Sequence, residues 1–121
     1  SMCPDPGLAA LLEAGTRSVA IFGKASAFHV EQVLRTSKEE NLAMIRDSVR
    51  FLTERGREVI FDAEHFFDGW KDDPDYAEAV LKTAEAAAAW PRRWRGRRCK
   101  RRFIWDYNQG GFKRCARGFR V

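Results

Sequence analysis

Two short apolar runs, Val19-Ala20-Ile21-Phe22 and Val59-Ile60-Phe61, constrain the fold of this chain more than any other feature. An apolar run without polar alternation suits a strand buried on both faces, as in a parallel sheet. Each run lies between segments of helical spacing. Asp5 can cap a helix from about Pro6 to Ala14, with Leu8, Leu11 and Leu12 on one face and Gly15 as its terminator. Ser37 and Glu40 form a capping box for a second helix, whose Leu42, Ile45, Val49 and Leu52 hold helical spacing until Gly56. Asp73 and Pro74 open a third, which runs through Tyr76, Val80, Leu81 and Ala86–Ala89 and ends by Trp90, before Pro91. Helix, strand, helix, strand, helix with short connections is the alternation of a parallel α/β sheet.

Beyond Trp90 the composition changes sign. Residues 1–90 hold 10 Lys/Arg against 16 Asp/Glu, whereas residues 91–121 hold 12 Lys/Arg against Asp106 alone. Arg92, Arg93, Arg95, Arg97, Arg98, Lys100, Arg101 and Arg102 form the basic block, with Trp94 inside it and Phe103, Trp105 and Tyr107 after it. Guanidinium groups pair with phosphates and aromatic faces stack on unpaired bases, so a small nucleic-acid- or polyanion-binding module is one reading. An anionic membrane surface suits the same composition. The other reading is a basic segment not selected together with the rest of the chain. Phe103-Ile104-Trp105 fits a short third strand and Asn108-Gln109-Gly110-Gly111 a turn; no clear period follows Gly111. The chain therefore divides into an α/β part, residues 5–90, and a basic aromatic tail, residues 91–121.

A chain of 121 residues allows one ordinary domain. No apolar run reaches the roughly 18 residues of a membrane span, so no span is expected. Ser1-Met2 reads as an expression scar with no leader after it. Cys3, Cys99 and Cys115 are odd in number, widely spread and far from both histidines. No zinc site is expected, and a reducing cytoplasm is the natural setting.

Reactive groups in α/β sheets collect at the carboxyl edge, where strands give way to loops. Two clusters have that placement: Gly23-Lys24-Ala25-Ser26-Ala27-Phe28-His29 and Asp62-Ala63-Glu64-His65. A carboxylate and imidazoles at one mouth can transfer protons or bind an oxo acid. On pattern alone the plainer reading is preferred: Glu64 an ordinary loop carboxylate, His29 a satisfied histidine at a helix start, Lys24 a solvated lysine. Gly23-Lys24-Ala25-Ser26 lacks the glycine pattern of a phosphate-binding loop.

At these residues the sequence resembles a known family. Val19–Lys24, His29-Val30, Glu39–Ile45 and above all Val59-Ile60-Phe61-Asp62-Ala63-Glu64-His65-Phe66-Phe67-Asp68-Gly69 resemble the citramalate synthase branch of the 2-isopropylmalate and homocitrate synthases. The likeness covers about residues 5–89. It implies a slice of a (β/α)8 barrel, with two or three parallel strands corresponding to the third and fourth of the family. The family's activity, a transferase step of amino-acid biosynthesis, is Claisen-type condensation of acetyl-CoA with a 2-oxo acid, pyruvate in the citramalate branch. A divalent metal polarises the oxo acid and a base forms the enolate. By resemblance Glu64 is the active-site glutamate of strand four, His29 lies near the barrel mouth on the substrate side, and His65 is typical of the citramalate branch.

The sequence also departs from the family. The metal ligands of the first strand (Asp-Arg-Glu) and of a late strand (His-x-His) have no counterpart here, so no metal or other cofactor is expected in this chain. Asp106-Tyr107-Asn108-Gln109-Gly110-Gly111 echoes only loosely the family's Asp-Thr-Asn-Gly-Gly turn. The expectation is a truncated or rearranged relative, inactive in isolation. Its unmatched sheet edges and apolar surfaces should lead it to self-associate, most simply as a dimer.

Overall fold

The computed structural model describes residues 5–88, together with the backbone of residues 104–108 and 111–116. Helix α1 (Pro6–Glu13) starts where Asp5, extended at φ −143°, accepts a hydrogen bond from the Gly7 N–H at 2.7 Å. It ends at Gly15, whose φ of +69° reverses the chain without a Cβ clash. Strand β1 (Ser18–Lys24) follows, then a single π-helical turn at His29–Val33 that drives Val30 into the core. Helix α2 (Lys38–Glu54) is capped by Ser37, whose Oγ accepts from the Glu40 N–H at 3.1 Å. Its Ile45, Val49 and Leu52 are buried at the spacing read from sequence; Leu42 is only partly buried, and Asn41 and Phe51 join the buried set.

Strand β2 (Glu58–Glu64) runs parallel to β1, in a register that sets Val19 beside Val59 and Ile21 beside Phe61. A short helix α3 (Phe66–Asp72) comes next, then α4 (Pro74–Ala88), opened by Asp73 accepting from the Tyr76 N–H at 3.1 Å. Lys38 at the start of α2 reaches the same Asp73 at 2.8 Å, and this bond holds the Asp73 carboxyl below the usual aspartate range. The backbone of β3 (Ile104–Asn108) pairs parallel with β2, and that of β4 (Gly111–Ala116) antiparallel with β3, giving the order β1-β2-β3-β4. The return strand falls where the sequence shows no period. Ladder pairing to a neighbour, rather than a pattern of its own, defines it. Arg92, Arg93, Arg95, Arg97, Arg98, Lys100, Arg101 and Arg102 lie outside the described residues.

The architecture is thus α/β on a parallel pair of strands, as the alternation requires. The strands differ from expectation in one respect. Val19, Gly23, Val59, Phe61 and Ala63 are buried beneath the helices, where they meet Val49, Leu52, Val80 and Leu81. The alternate residues face away from that layer: Ala20 is exposed, Phe22 is 71% exposed, and Ile60, Asp62 and Glu64 are half-buried. Runs that read as buried on both sides are covered on one, because the described helices pack on one side of the sheet. Two glycines permit the close packing. A Cβ on Gly23 would fall 2.9 Å from the Ile45 side chain and from the Phe61 ring. One on Gly69 would drive into the Ala25 carbonyl oxygen and lie 2.8 Å from the Ser26 Cα.

Candidate functional site

The site grows from the last pair of the β1–β2 ladder. Both strands continue past their apolar runs, through Gly23 beside Ala63 to Lys24 beside Glu64. The Ala25 N–H donates to the Glu64 carbonyl at 2.9 Å and carries the ladder one step further. Period-2 alternation then fixes the direction of every side chain. With Ala63 beneath the helices, Glu64 must face the uncovered side; with Gly23 beneath them, so must Lys24.

Their charges meet there. Lys24 Nζ lies 2.8 Å from Glu64 Oε2, with side chains 16% and 20% exposed. The contact is a close ion pair between two partly buried side chains. The end of β1 is fixed from behind. Asn41, buried on α2, donates from Nδ2 to the Lys24 carbonyl at 2.9 Å and to the Tyr76 hydroxyl of α4 at 2.6 Å. Burial raises the Tyr76 phenol above its ordinary range, keeping it neutral and fit for this bond.

His65 follows Glu64 in a left-handed conformation, φ +60° and ψ 31°, and starts α3. Such a backbone costs a non-glycine residue about 1 kcal/mol or more and persists only when its surroundings hold it. Here the surroundings are visible. Gly69 lets α3 sit against Ala25 and Ser26, and the His65 ring stacks on that of His29, with centroids 4.0 Å apart and planes 2° from parallel. His65 Nε2 stands 3.7 Å from Glu64 Oε1. Phe28 meets the other histidine edge-on at 5.5 Å. The His29 pKa lies below the ordinary histidine value, chiefly through burial, then through the neighbouring His65 and the Lys24 ammonium; Glu64 and Asp68 oppose the shift.

The structure therefore gathers Glu64, His29 and His65, which the sequence placed at one edge from strands 40 residues apart in register. It adds Lys24, read from pattern as a solvated loop lysine, together with the Asn41–Tyr76 brace. Signals for both were present. Lys24 shares the parity of Phe22, so a strand two residues longer puts it beside Glu64. Asn41 is a polar residue four before Ile45, on an apolar helix stripe.

Chemically, the group offers a carboxylate between an ammonium and an imidazole, suited to accepting and passing a proton. A divalent metal does not fit it. Among the described residues no cluster of three or more His, Cys, Asp or Glu side chains can hold an ion, and the Lys24 ammonium already occupies the Glu64 carboxylate.

Compared with known proteins, the chain is 55% identical over 85 residues to the (R)-citramalate synthase of Synechocystis and 49% identical over 87 residues to that of Aquifex aeolicus. These matches take in 70% and 71% of this chain. The matched stretch belongs to the citramalate synthase family. The likeness extends, at 35% identity over 80 residues, to the 2-isopropylmalate synthase of Acidovorax ebreus. The chain spans 16% of the length of the citramalate synthases it matches, so it is a fragment of that family's sequence. No family model matches it. The resemblance read from Val59–Gly69 and its companion segments is thus confirmed at the level of sequence. No described helix is long and apolar enough to cross a membrane.

Proposed function

We propose that the described α/β unit is one wall of a citramalate-synthase-like (β/α)8 barrel, in which Glu64 stands beside the 2-oxo acid during condensation with acetyl-CoA. The observation that carries this reading is the placement of Glu64 at the carboxyl edge of two parallel strands, on the face the helices leave uncovered. A closed barrel keeps its interior on that face and its active site at that edge. Within such a site Glu64 Oε1 accepts a proton from the substrate side and can pass it to the facing Nε2 of His65, while Lys24 balances the carboxylate charge. His29 and His65 form the adjoining substrate-side wall.

In isolation these 121 residues do not turn over. The Asp-Arg-Glu and His-x-His motifs that hold the family's metal do not occur in the sequence, and another stretch of polypeptide must supply them along with the remaining strands. Until it does, the uncovered sheet face, which exposes Phe22 on the edge strand, drives self-association, most simply as a dimer. The odd number of widely spread cysteines fits a reducing, cytoplasmic setting. A second reading rests on the sign change in charge after Trp90: the basic stretch binds polyanions such as nucleic acid.

Incubating the purified chain with acetyl-CoA, pyruvate and a divalent metal tests the first reading. Release of free CoA should not exceed that of a Glu64→Ala control. Turnover that vanishes in the control contradicts the proposed incompleteness. Titrating single- and double-stranded nucleic acid at low and physiological salt tests the second. Selective affinity surviving the higher salt supports a binding module, and uniform loss of binding removes it.

A further inference from the structure

We infer that His29 is a positioning residue for Glu64, acting through His65: its ring face fixes the imidazole that confronts Glu64 Oε1. The inference rests on the reading of Glu64 given above and deepens it.

The carboxylate is held from one side already, by Lys24 on Oε2. Its other oxygen faces His65 Nε2 at 3.7 Å, too far for a formed hydrogen bond and near enough for one to close after a small rotation. What decides whether that rotation is productive is the plane of the His65 ring. Its left-handed backbone sets where the ring starts, and the parallel His29 ring sets its plane.

His29 is well placed to serve as a fixed surface. It opens the π-helical turn, and the next residue, Val30, is fully buried and donates its N–H to the Ser26 carbonyl at 3.0 Å. The Leu34 N–H returns to the His29 carbonyl at 3.0 Å and the Thr36 N–H to the Val30 carbonyl at 3.2 Å. The ring itself makes no use of Nδ1, which is buried without a hydrogen-bond partner. The contact the half-buried ring does make is through its flat face, on His65. The neutral form suits that task, because a charged ring would repel Lys24 and leave a buried N–H unsatisfied. The groups around the ring are Lys24 on β1, Glu64 on β2, and His65 and Asp68 at the start of α3. Burial, His65 and Lys24, the largest influences, all favour neutrality.

Side-chain NMR of the full chain tests this, with three variants compared at neutral pH. In His29→Ala the His65 ring protons should lose their upfield ring-current shift, and the Glu64 carboxyl carbon should move with them. His29→Phe, which keeps a flat aromatic face and cannot titrate, should restore both signals. His29→Leu, close in bulk but without the aromatic face, should behave like Ala, and it decides the matter if the Ala variant fails to fold. A Glu64 carbon that stays put in the Leu variant, or that Phe does not restore, overturns the inference. That result leaves the role of Glu64 itself standing. The role of Glu64 fails separately, if an active barrel tolerates its replacement by Gln.

Discussion

The two faces of the β1–β2 pair are built from alternate residues of the same fourteen positions and have opposite characters. One face is closed. Val19, Val59, Phe61 and Ala63 lie beneath α2 and α4, packed so tightly that Gly23 has no room for a Cβ. The other is half-open, with Phe22 in solvent and the ion pair of Lys24 and Glu64 at its end. The first face holds the buried core, and the second displays the charged pair. A substitution should therefore act very differently according to its parity along the strand.

The largest effects belong to the closed side. Leu52, fully buried on α2, should cost about 4 kcal/mol when cut to Ala, as read by urea denaturation. A loss under about 1 kcal/mol would break the comparison, since the covered layer would then not carry the fold. Next comes Gly69→Ala. Its Cβ meets backbone rather than a flexible side chain, so α3 must shift; we expect about 2–3 kcal/mol, together with loss of the His65 ring-current shift.

On the open side Phe22→Ser should change monomer stability by less than about 0.5 kcal/mol. It should lower self-association in sedimentation at micromolar concentration. A Phe22→Ser protein that unfolds would show that the open face is part of the core after all.

The smallest effect is one of pH. The folded-state pKa of His29 lies below the ordinary 6.5, so the unfolded chain binds the extra proton first. The contribution of neutral His29 is therefore complete above pH 6.5 and declines as pH falls from there through the depressed folded value. Denaturation midpoints across that window should fall less steeply in His29→Phe than in the parent. Equal slopes would remove His29 from the account.

Much of this was legible in sequence because it is local. Asp5, Ser37 with Glu40, and Asp73-Pro74 announce three helices through capping chemistry, and the structure starts helices at all three. The apolar runs announce the strands. Helix α3 was not legible: Phe66-Phe67-Asp68-Gly69 carries no helical stripe. The helix depends on a left-handed His65 and on the contact of Gly69 with Ala25, both tertiary facts. The strand ends were missed for a similar reason. Gly23, Lys24, Asp62 and Glu64 have weak strand preference, and only the ladder between them extends the sheet. The stacking of His29 on His65 joins residues whose spacing in sequence says nothing of contact. The one-sided burial of the runs carries its own lesson. Ala20, Phe22 and Ile60 are apolar on a face the described helices do not cover, the composition expected of strands that another layer or a barrel interior would finish.

That expectation is open to a direct test. The corresponding stretch of an active citramalate synthase can be replaced by residues 5–89 of this chain, and condensation of acetyl-CoA with pyruvate followed by release of CoA. Our account predicts that the graft works, that kcat falls by about a hundredfold or more in its Glu64→Gln version, and that the isolated chain stays silent. A correctly folded graft without activity, or a Gln version as fast as its parent, would contradict it.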